Sequence, residues 1–274
     1  MKAVILAAGR GGRLRGVVGD RPKCLARIGD TTLLERQIQA LEKCGLGPIT
    51  VVAGYGETAV RRVCPSDVSI VSNARHATTN SLYSMWLARD VLDEAFVVLN
   101  CDVLFHPQLL ADLVDARYDD ALLVSARGDG AVYSPEEMKV HIRRGLVCGM
   151  GKDLHDEFCD AENIGIAKFS PSGARMLVDE LNRFVAAGDV RAWLPRAFDA
   201  FARTRPLYAV ESRGLPWIEI DFPEDYWRAC SETLPAIEEN SGPCMNAFTT
   251  SGSARFRSAR IPSTSIQAGS TKRP

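Results

Sequence analysis

At 274 residues and 46% hydrophobic, the chain has enough apolar sequence for one substantial core, which excludes a fibrous or wholly disordered protein. A formal charge of −1 excludes a general nucleic-acid binder, which needs a basic surplus to neutralise phosphates, so any nucleotide bound should be small. No run approaches the roughly 18 apolar residues of a membrane span, and the apolar opening is too short for a signal-peptide core, so a cytoplasmic protein is expected.

Residues 2–7 are an apolar run ending in glycines, which predicts a buried parallel strand feeding a loop. Residues 31–44 predict a helix. Leu34, Ile38 and Leu41 recur at helical spacing, Thr32 and Glu35 form a capping-box pair, and Gly45 stops it. Strands are then predicted at 49–53, 68–72, 96–100 and 122–125, and helices at 57–63, 81–91 and 107–116. The alternation predicts an α/β fold: an open, mostly parallel twisted sheet flanked by helices, with ligands outside the carboxyl ends of the strands. After Ala126 the rhythm changes to a hairpin at 138–142 and 146–150, a strand at 164–169, two helices within 172–202, and strands at 207–210 and 217–220. One domain is expected over 1–232, with a small acceptor-side lobe within 127–216. From 240 to 274 there are five basic residues and no acidic one, so the body without it would carry −1 − 5 = −6. That composition reads as a disordered tail or as a docking arm for a partner.

Eight cysteines stand far apart with no Cys-x-x-Cys, which predicts reduced, mostly buried thiols; the four histidines are equally scattered, and no zinc site is expected.

A loop that meets a triphosphate needs backbone N–H groups free to converge on oxygens, hence glycine, and a cation to offset charge. Leu6-Ala7-Ala8-Gly9-Arg10-Gly11-Gly12-Arg13-Leu14 supplies both. A dinucleotide fingerprint starting at Gly9 would need glycine at position 14, where Leu14 stands, and a P-loop would need Gly-Lys-Ser/Thr; neither is present. The run, followed by Pro22-Lys23, resembles the nucleotidyltransferases that open L-A-A-G-x-G-x-R-[LM] and continue to P-K. The resemblance extends from residue 1 to about 232 and implies a Rossmann-like, GT-A-like nucleotidyltransferase sheet. It also implies that Leu6, Ala7, Ala8, Gly9, Gly11 and Gly12 surround base and phosphates, with Arg13 and Lys23 at phosphate oxygens.

Asp102 follows the apolar strand at 96–100 and should project at the same sheet edge as the loop. Along Trp217-Ile218-Glu219-Ile220-Asp221, alternation puts Glu219 and Asp221 on one face. Carboxylates from two strands near a triphosphate suit Mg2+, a hard cation that takes oxygen ligands. The family resemblance implies a D-x-D or G-D-x element and an E-I-D-T-P-E-D-like segment; Glu219 to Asp225 matches the second, whereas Asn100 departs from the first. Asp102 and Asp221 are therefore the expected metal ligands. Glu224 and Asp225 fit the first turn of a helix after Pro223 instead.

The segment Asn73-Ala74-Arg75-His76-Ala77-Thr78-Thr79-Asn80-Ser81-Leu82-Tyr83-Ser84-Met85-Trp86-Leu87 resembles the cytidylyltransferases that act on small phosphorylated or phosphonate headgroups, which implies CTP. Asn80 and Ser81 are candidates for base or phosphate contacts, or simple helix caps; Leu82, Met85 and Trp86 are expected in the core. Glu137-Met138-Lys139-Val140 and residues 162–169 resemble phosphonate-linked members. Cations at Arg127, Lys139, Arg143, Arg144 and Lys168 outnumber the aromatics Tyr133 and Trp193, which favours an anionic acceptor such as phosphonoformate, although Arg143 and Arg144 also suit a solvated turn. Lys23, Lys139, Glu219 and Arg127 are the candidate acceptor contacts. The expected activity is CMP transfer from CTP to a small phosphonate, phosphonoformate or 2-aminoethylphosphonate, with release of pyrophosphate, carried by Arg13, Lys23, Asp102 and Asp221 in a monomer or homodimer. Phosphocholine or a sugar 1-phosphate as acceptor, or a catalytically silent nucleotide-binding regulator, remain the alternatives.

Overall fold

The computed structural model describes residues 1–126 and 133–240; Arg127 and the basic tail lie outside the described residues. Met1–Ser241 forms one compact unit. Thirteen strands are described: β1 Lys2–Ala7, β2 Arg27–Ile28, β3 Thr31–Thr32, β4 Ile49–Ala53, β5 Ser69–Ser72, β6 Phe96–Asn100, β7 Val103–Phe105, β8 Ala121–Ala126, β9 Lys139–Arg143, β10 Leu146–Gly151, β11 Ala161–Phe169, β12 Tyr208–Glu211 and β13 Trp217–Glu219.

Nine of them form one sheet in the order β5-β4-β1-β6-β11-β8-β12-β10-β9. The β5-β4-β1-β6 half is parallel throughout. From β11 onward the sheet is mixed, with β11 antiparallel to β6 and β8, and β12 parallel to β8. The open α/β sheet is thus the expected one, but its parallel character stops where the sequence rhythm changes. β9 and β10, the predicted hairpin, extend this same sheet through β12.

Alternation along β1 sends Ala3, Ile5 and Ala7 to one face and Val4 and Leu6 to the other, where each set joins a separate core. The first face is covered by helices Leu33–Lys43 and Pro107–Asp115, the second by Ser81–Leu87, Pro171–Ala186 and Pro195–Ala202. Burial on both faces explains why the parallel strands read as unbroken apolar runs.

The helix predicted over 31–44 begins at Leu33, because Thr31 and Thr32 pair with Arg27 and Ile28 before Thr32 caps it. The capping box is present: Thr32 Oγ1 accepts from the Glu35 amide and Glu35 accepts from the Thr32 amide. The helix predicted over 81–91 is α-helical through Leu87 and resumes as a 3-10 turn at Arg89–Val91.

Strand order explains where a ligand can sit. From β1 the chain proceeds through β4 and β5 on one side and returns as β6 on the other, which makes the carboxyl ends of β1 and β6 a topological switch point.

Candidate active site

The loop after β1 and the turn after β6 meet because these strands are parallel neighbours, with Leu6 opposite Asn100 and the Cys101 amide donating to the Leu6 carbonyl. Gly11 takes a left-handed conformation, φ 65°, as the chain turns into a 3-10 segment at Gly12–Leu14. A Cβ on Gly11 would lie 2.4 Å from Lys23 Cβ, so glycine here lets the lysine pass against the loop backbone. Gly54, at the end of β4, plays a similar part: a Cβ there would strike the Ala8 carbonyl and the His76 side chain.

Asp102 receives its partners from β13. Antiparallel pairing of β13 with β7 sets Glu219 opposite Val103, and the Ile220 amide donates to the Asp102 carbonyl at 3.0 Å. Asp102, Glu219 and Asp221 consequently offer oxygens within 4.8 Å of one another, the one such group of three potential ligands among the described residues. Lys23 is buried beside them, its ammonium 3.0 Å from Asp102 Oδ2 and hydrogen-bonded to Asp221. Burial works against the lysine charge, but Asp102 and Asp221 outweigh it and raise its pKa above the ordinary value. Glu219 responds oppositely, since burial and the like charges of Asp102 and Asp221 push its carboxyl up to about 8.

The acidic corner fits a divalent cation on two counts. Its donors are all hard carboxylate oxygens, and Asp102 Oδ1 is buried without a hydrogen-bond partner in the protein. The Lys23 ammonium is already shared between Asp102 and Asp221, where a cation would bind.

Two cavities flank this corner. One of about 300 Å³ runs from Leu6, Ala8, Gly9 and Gly11, past Lys23 and Asp102, to Asn73, His76, Thr79, Asn80, Ser81 and Ser84. The other, about 410 Å³, is lined by Glu136, Glu137, Glu162, Glu219, Asp221 and Asp225 together with Trp217 and Phe222, with Arg228 as the one cation among the described residues of its wall. Glu136 and Glu219 belong to both.

Of the residues singled out from sequence, Leu6, Ala8, Gly9, Gly11, Lys23, Asn80, Ser81, Asp102 and Glu219 line the first cavity, and Asp221 and Glu219 the second. Ala7 packs into the first core and is fully buried there. Gly12 opens the 3-10 segment and is in neither wall. Arg13 stands at the edge, half exposed, 3.8 Å from Asp221, 3.3 Å from Glu136 and over the Phe222 ring at 4.8 Å. Asn80 and Ser81 serve as caps as well as wall: Asn80 Oδ1 accepts from the Ser81 amide, and Ser81 Oγ accepts from the Leu194 amide. Leu82 and Met85 are core, whereas Trp86 is only partly buried and its indole donates to Asn182.

Of the cations that favoured an anionic acceptor, Lys139 and Lys168 are engaged elsewhere. Lys139 donates to Asp156 at 2.6 Å and to the Leu154 carbonyl at 3.1 Å, and lines neither cavity. Lys168 is buried and donates to the Val114 and Ala116 carbonyls that close a helix. Arg143 ends β9 and Arg144 sits in the hairpin turn with φ 53°. Arg127 lies outside the described residues. Thiol burial is also less than expected: of the seven described cysteines, Cys24 and Cys101 are buried, Cys148 is exposed and the rest are intermediate.

Three residues that line the first cavity had no site role assigned from sequence: Asn73, which opens the cytidylyltransferase-like segment, Trp193, and Glu136. Asn73 is 1% exposed and gathers the wall around itself, donating to Thr79 and Ser84 and accepting from the Arg75 amide. Its signal was available: an asparagine directly after a β-rich run, at the strand's carboxyl end. Glu136, paired with Arg13 and Lys152, had no local signal.

A sheet of this order, with a glycine-bearing loop and a carboxylate corner at its switch point, is the architecture of a transferase that uses nucleoside triphosphates. Residues 3–214 match the MobA-like NTP transferase domain, and the chain belongs to that family. It is 32% identical over 250 residues, 88% of its length, to the Bifunctional IPC transferase and DIPP synthase of Rubrobacter xylanophilus, and spans about half, 54%, of that relative. It is 24% identical over 233 residues to the Choline-phosphate cytidylyltransferase of Streptococcus pneumoniae, covering 82% of this chain and 95% of that protein. The inositol-1-phosphate CTP transferase from T. maritima shares the fold, with a TM-score of 0.72 at 21% identity over 88% of this chain and 96% of that one.

Among the described residues, no helix is long and apolar enough to cross a membrane.

Proposed function

We propose that the protein transfers CMP from CTP to a small phosphonate or phosphate monoester that carries an amine or quaternary ammonium group, releasing pyrophosphate. The observation that carries this reading is the second cavity, whose described wall brings four carboxylates, Glu136, Glu137, Glu162 and Asp225, and two aromatic side chains beside the Asp102, Glu219 and Asp221 corner. A cationic headgroup gains there from charge and from the faces of Trp217 and Phe222. A carboxylated acceptor such as phosphonoformate would instead meet like charge. 2-Aminoethylphosphonate and phosphocholine are the fitting acceptors, and the CTP-using relatives of this chain support cytidine as the base.

In this reading the first cavity takes the nucleotide. Backbone N–H groups of the loop at Gly9 and Gly11 face the phosphates, and the Asn73 to Ser84 wall faces the base. An acceptor oxygen attacks the α-phosphorus in line while the bond to the pyrophosphate oxygen breaks. The acceptor phosphonate or phosphate is already anionic near neutral pH, so no general base is required, and catalysis rests on positioning and charge neutralisation. Lys23 holds the α-phosphate and acceptor oxygens together, and Arg13 steadies the departing pyrophosphate. Asp102 and Asp221, with Glu219 beside them, would hold Mg2+, which supplies Lewis-acid neutralisation of the phosphate charge.

Pyrophosphate release tests this on a grid of the four nucleoside triphosphates against 2-aminoethylphosphonate, phosphocholine, phosphonoformate and glucose 1-phosphate. The expected result is release with CTP and the two ammonium-bearing acceptors, and a KM for those acceptors raised roughly 3- to 30-fold by Trp217→Ala with the KM for CTP unchanged. Release confined to phosphonoformate or glucose 1-phosphate would overturn the acceptor assignment. No release with any pair would overturn transfer itself and favour a nucleotide-binding regulator.

A further inference from the structure

We infer that Gln37 is a positioning residue that sets the aim of Asp102 toward the divalent cation. This rests on the reading of Asp102 as a metal ligand. Gln37 lies on helix Leu33–Lys43, does not line the first cavity, and is 1% exposed. Its carboxamide nitrogen donates to two backbone carbonyls, those of Asn100 and Val103, each at 2.9 Å.

These two carbonyls bracket Asp102. Asn100 ends β6 and Val103 begins β7, so only Cys101 and Asp102 lie between the two points of attachment. One NH2 group has two hydrogens, and here each is committed to a different side of the turn. The separation and orientation of the carbonyls are thereby fixed by a single planar group. The helix carrying that group is itself fixed, by its capping box at Thr32 and Glu35 and by Leu34, Ile38 and Leu41 in the core.

Asp102 depends on this support more than an ordinary carboxylate would. Oδ1 has no hydrogen-bond partner in the protein, and Oδ2 is held by Lys23 alone among the side-chain contacts described. The side chain is aimed chiefly by its own backbone, which Gln37 braces on one side and the Ile220 amide on the other. Mg2+ demands near-ideal octahedral geometry, so a turn free to shift by a fraction of an ångström should bind it less well.

Full-length protein titrated with Mn2+, followed by electron paramagnetic resonance, separates positioning from mere stability. Gln37→Met keeps the shape and removes both donations; Gln37→Glu, as a neutral buried acid, keeps one. Loss of contacts behind a metal ligand costs about 10- to 100-fold in affinity, so a Mn2+ Kd raised about 10-fold is expected for Gln37→Met and a smaller rise for Gln37→Glu. Ile38→Val, a change in the neighbouring core residue that leaves both Gln37 hydrogen bonds in place, should lower Tm without moving the Kd. A folded Gln37 variant with wild-type Mn2+ affinity, or an Ile38→Val variant weakened equally, would overturn the inference. Asp102→Ala belongs in the same series: if it too binds Mn2+ as wild type, the metal reading fails first.

Discussion

Replacing Lys23 by methionine offers a prediction with two readouts of opposite sign. The lysine side chain is 9% exposed and its ammonium is shared by Asp102 and Asp221, which are 21% and 30% exposed. Breaking a buried ion pair by removing one partner costs roughly 3–5 kcal/mol; partial exposure of the two carboxylates argues for the lower end, about 3 kcal/mol. At roughly 2–4 °C per kcal/mol for a body of this size, metal-free Lys23→Met should melt about 6–12 °C below wild type. Mg2+ should reverse much of that loss. In wild type a cation competes with the lysine ammonium for the same oxygens, whereas in the variant those oxygens are unpaired. Ligand at 100 times its Kd contributes about 2.7 kcal/mol, so the variant should gain most of its missing stability and wild type distinctly less. Activity should nonetheless fall about 10²- to 10³-fold, the usual cost of losing one preorganised donor to a developing charge. Thermal melts in EDTA and in excess MgCl2, run beside pyrophosphate release, read both effects. Equal melting temperatures in EDTA, or an equal Mg2+ increment in both proteins, would refute the shared-oxygen account.

Three further outcomes follow from the same geometry. Glu219 holds its proton up to about pH 8 in the folded state, while an unfolded glutamate releases it near pH 4.3. The folded state therefore binds the extra proton between those values, and metal-free stability should fall as pH rises from about 4.5 to 8 and level off above. Glu219→Gln should flatten that slope in urea titrations from pH 5 to 9, and an unchanged slope would contradict the assignment. Gly11→Ala forces a side chain into a left-handed backbone conformation and against Lys23; turnover should drop at least about 10-fold, because an ångström-scale displacement of a catalytic group costs up to ~10²-fold, and wild-type turnover would show that the loop does not set the lysine. Thr32→Ala removes the capping box of helix Leu33–Lys43, so Tm should fall about 2–4 °C in thermal melts, and an unchanged Tm would show that the cap does not hold the helix.

The parallel half of the fold was legible because strands buried on both faces leave apolar runs bounded by glycine, and β1, β4 and β6 fall where those runs lie. Local chemistry was legible too: Thr32 and Glu35 predicted the cap, and Asp102 and Asp221 stood out as carboxylates that end apolar strands. What escaped was set by contacts remote in sequence. β7 is three residues long and exists through pairing with β13, more than a hundred residues away. Lys139 and Lys168 looked like free cations because nothing local marks Asp156 or the carbonyls of Val114 and Ala116 as their partners. Glu136, Glu162 and Trp217 are separated by scores of residues, yet they share one cavity wall. In the proposed reading the phosphate side of the site is written largely in one loop, Leu6 to Gly11, whereas the acceptor side is assembled by the fold, and this is why the sequence favoured an anionic acceptor while a cationic one is proposed.

The central claim is tested most directly by ³¹P nuclear magnetic resonance of a reaction containing CTP, Mg2+ and 2-aminoethylphosphonate. Wild-type protein should yield free pyrophosphate together with a new pair of mutually coupled resonances, one from the CMP phosphorus and one from the phosphonate joined to it, and Asp102→Ala should yield neither. Orthophosphate in place of pyrophosphate, no coupled pair, or turnover largely retained in Asp102→Ala would contradict the account.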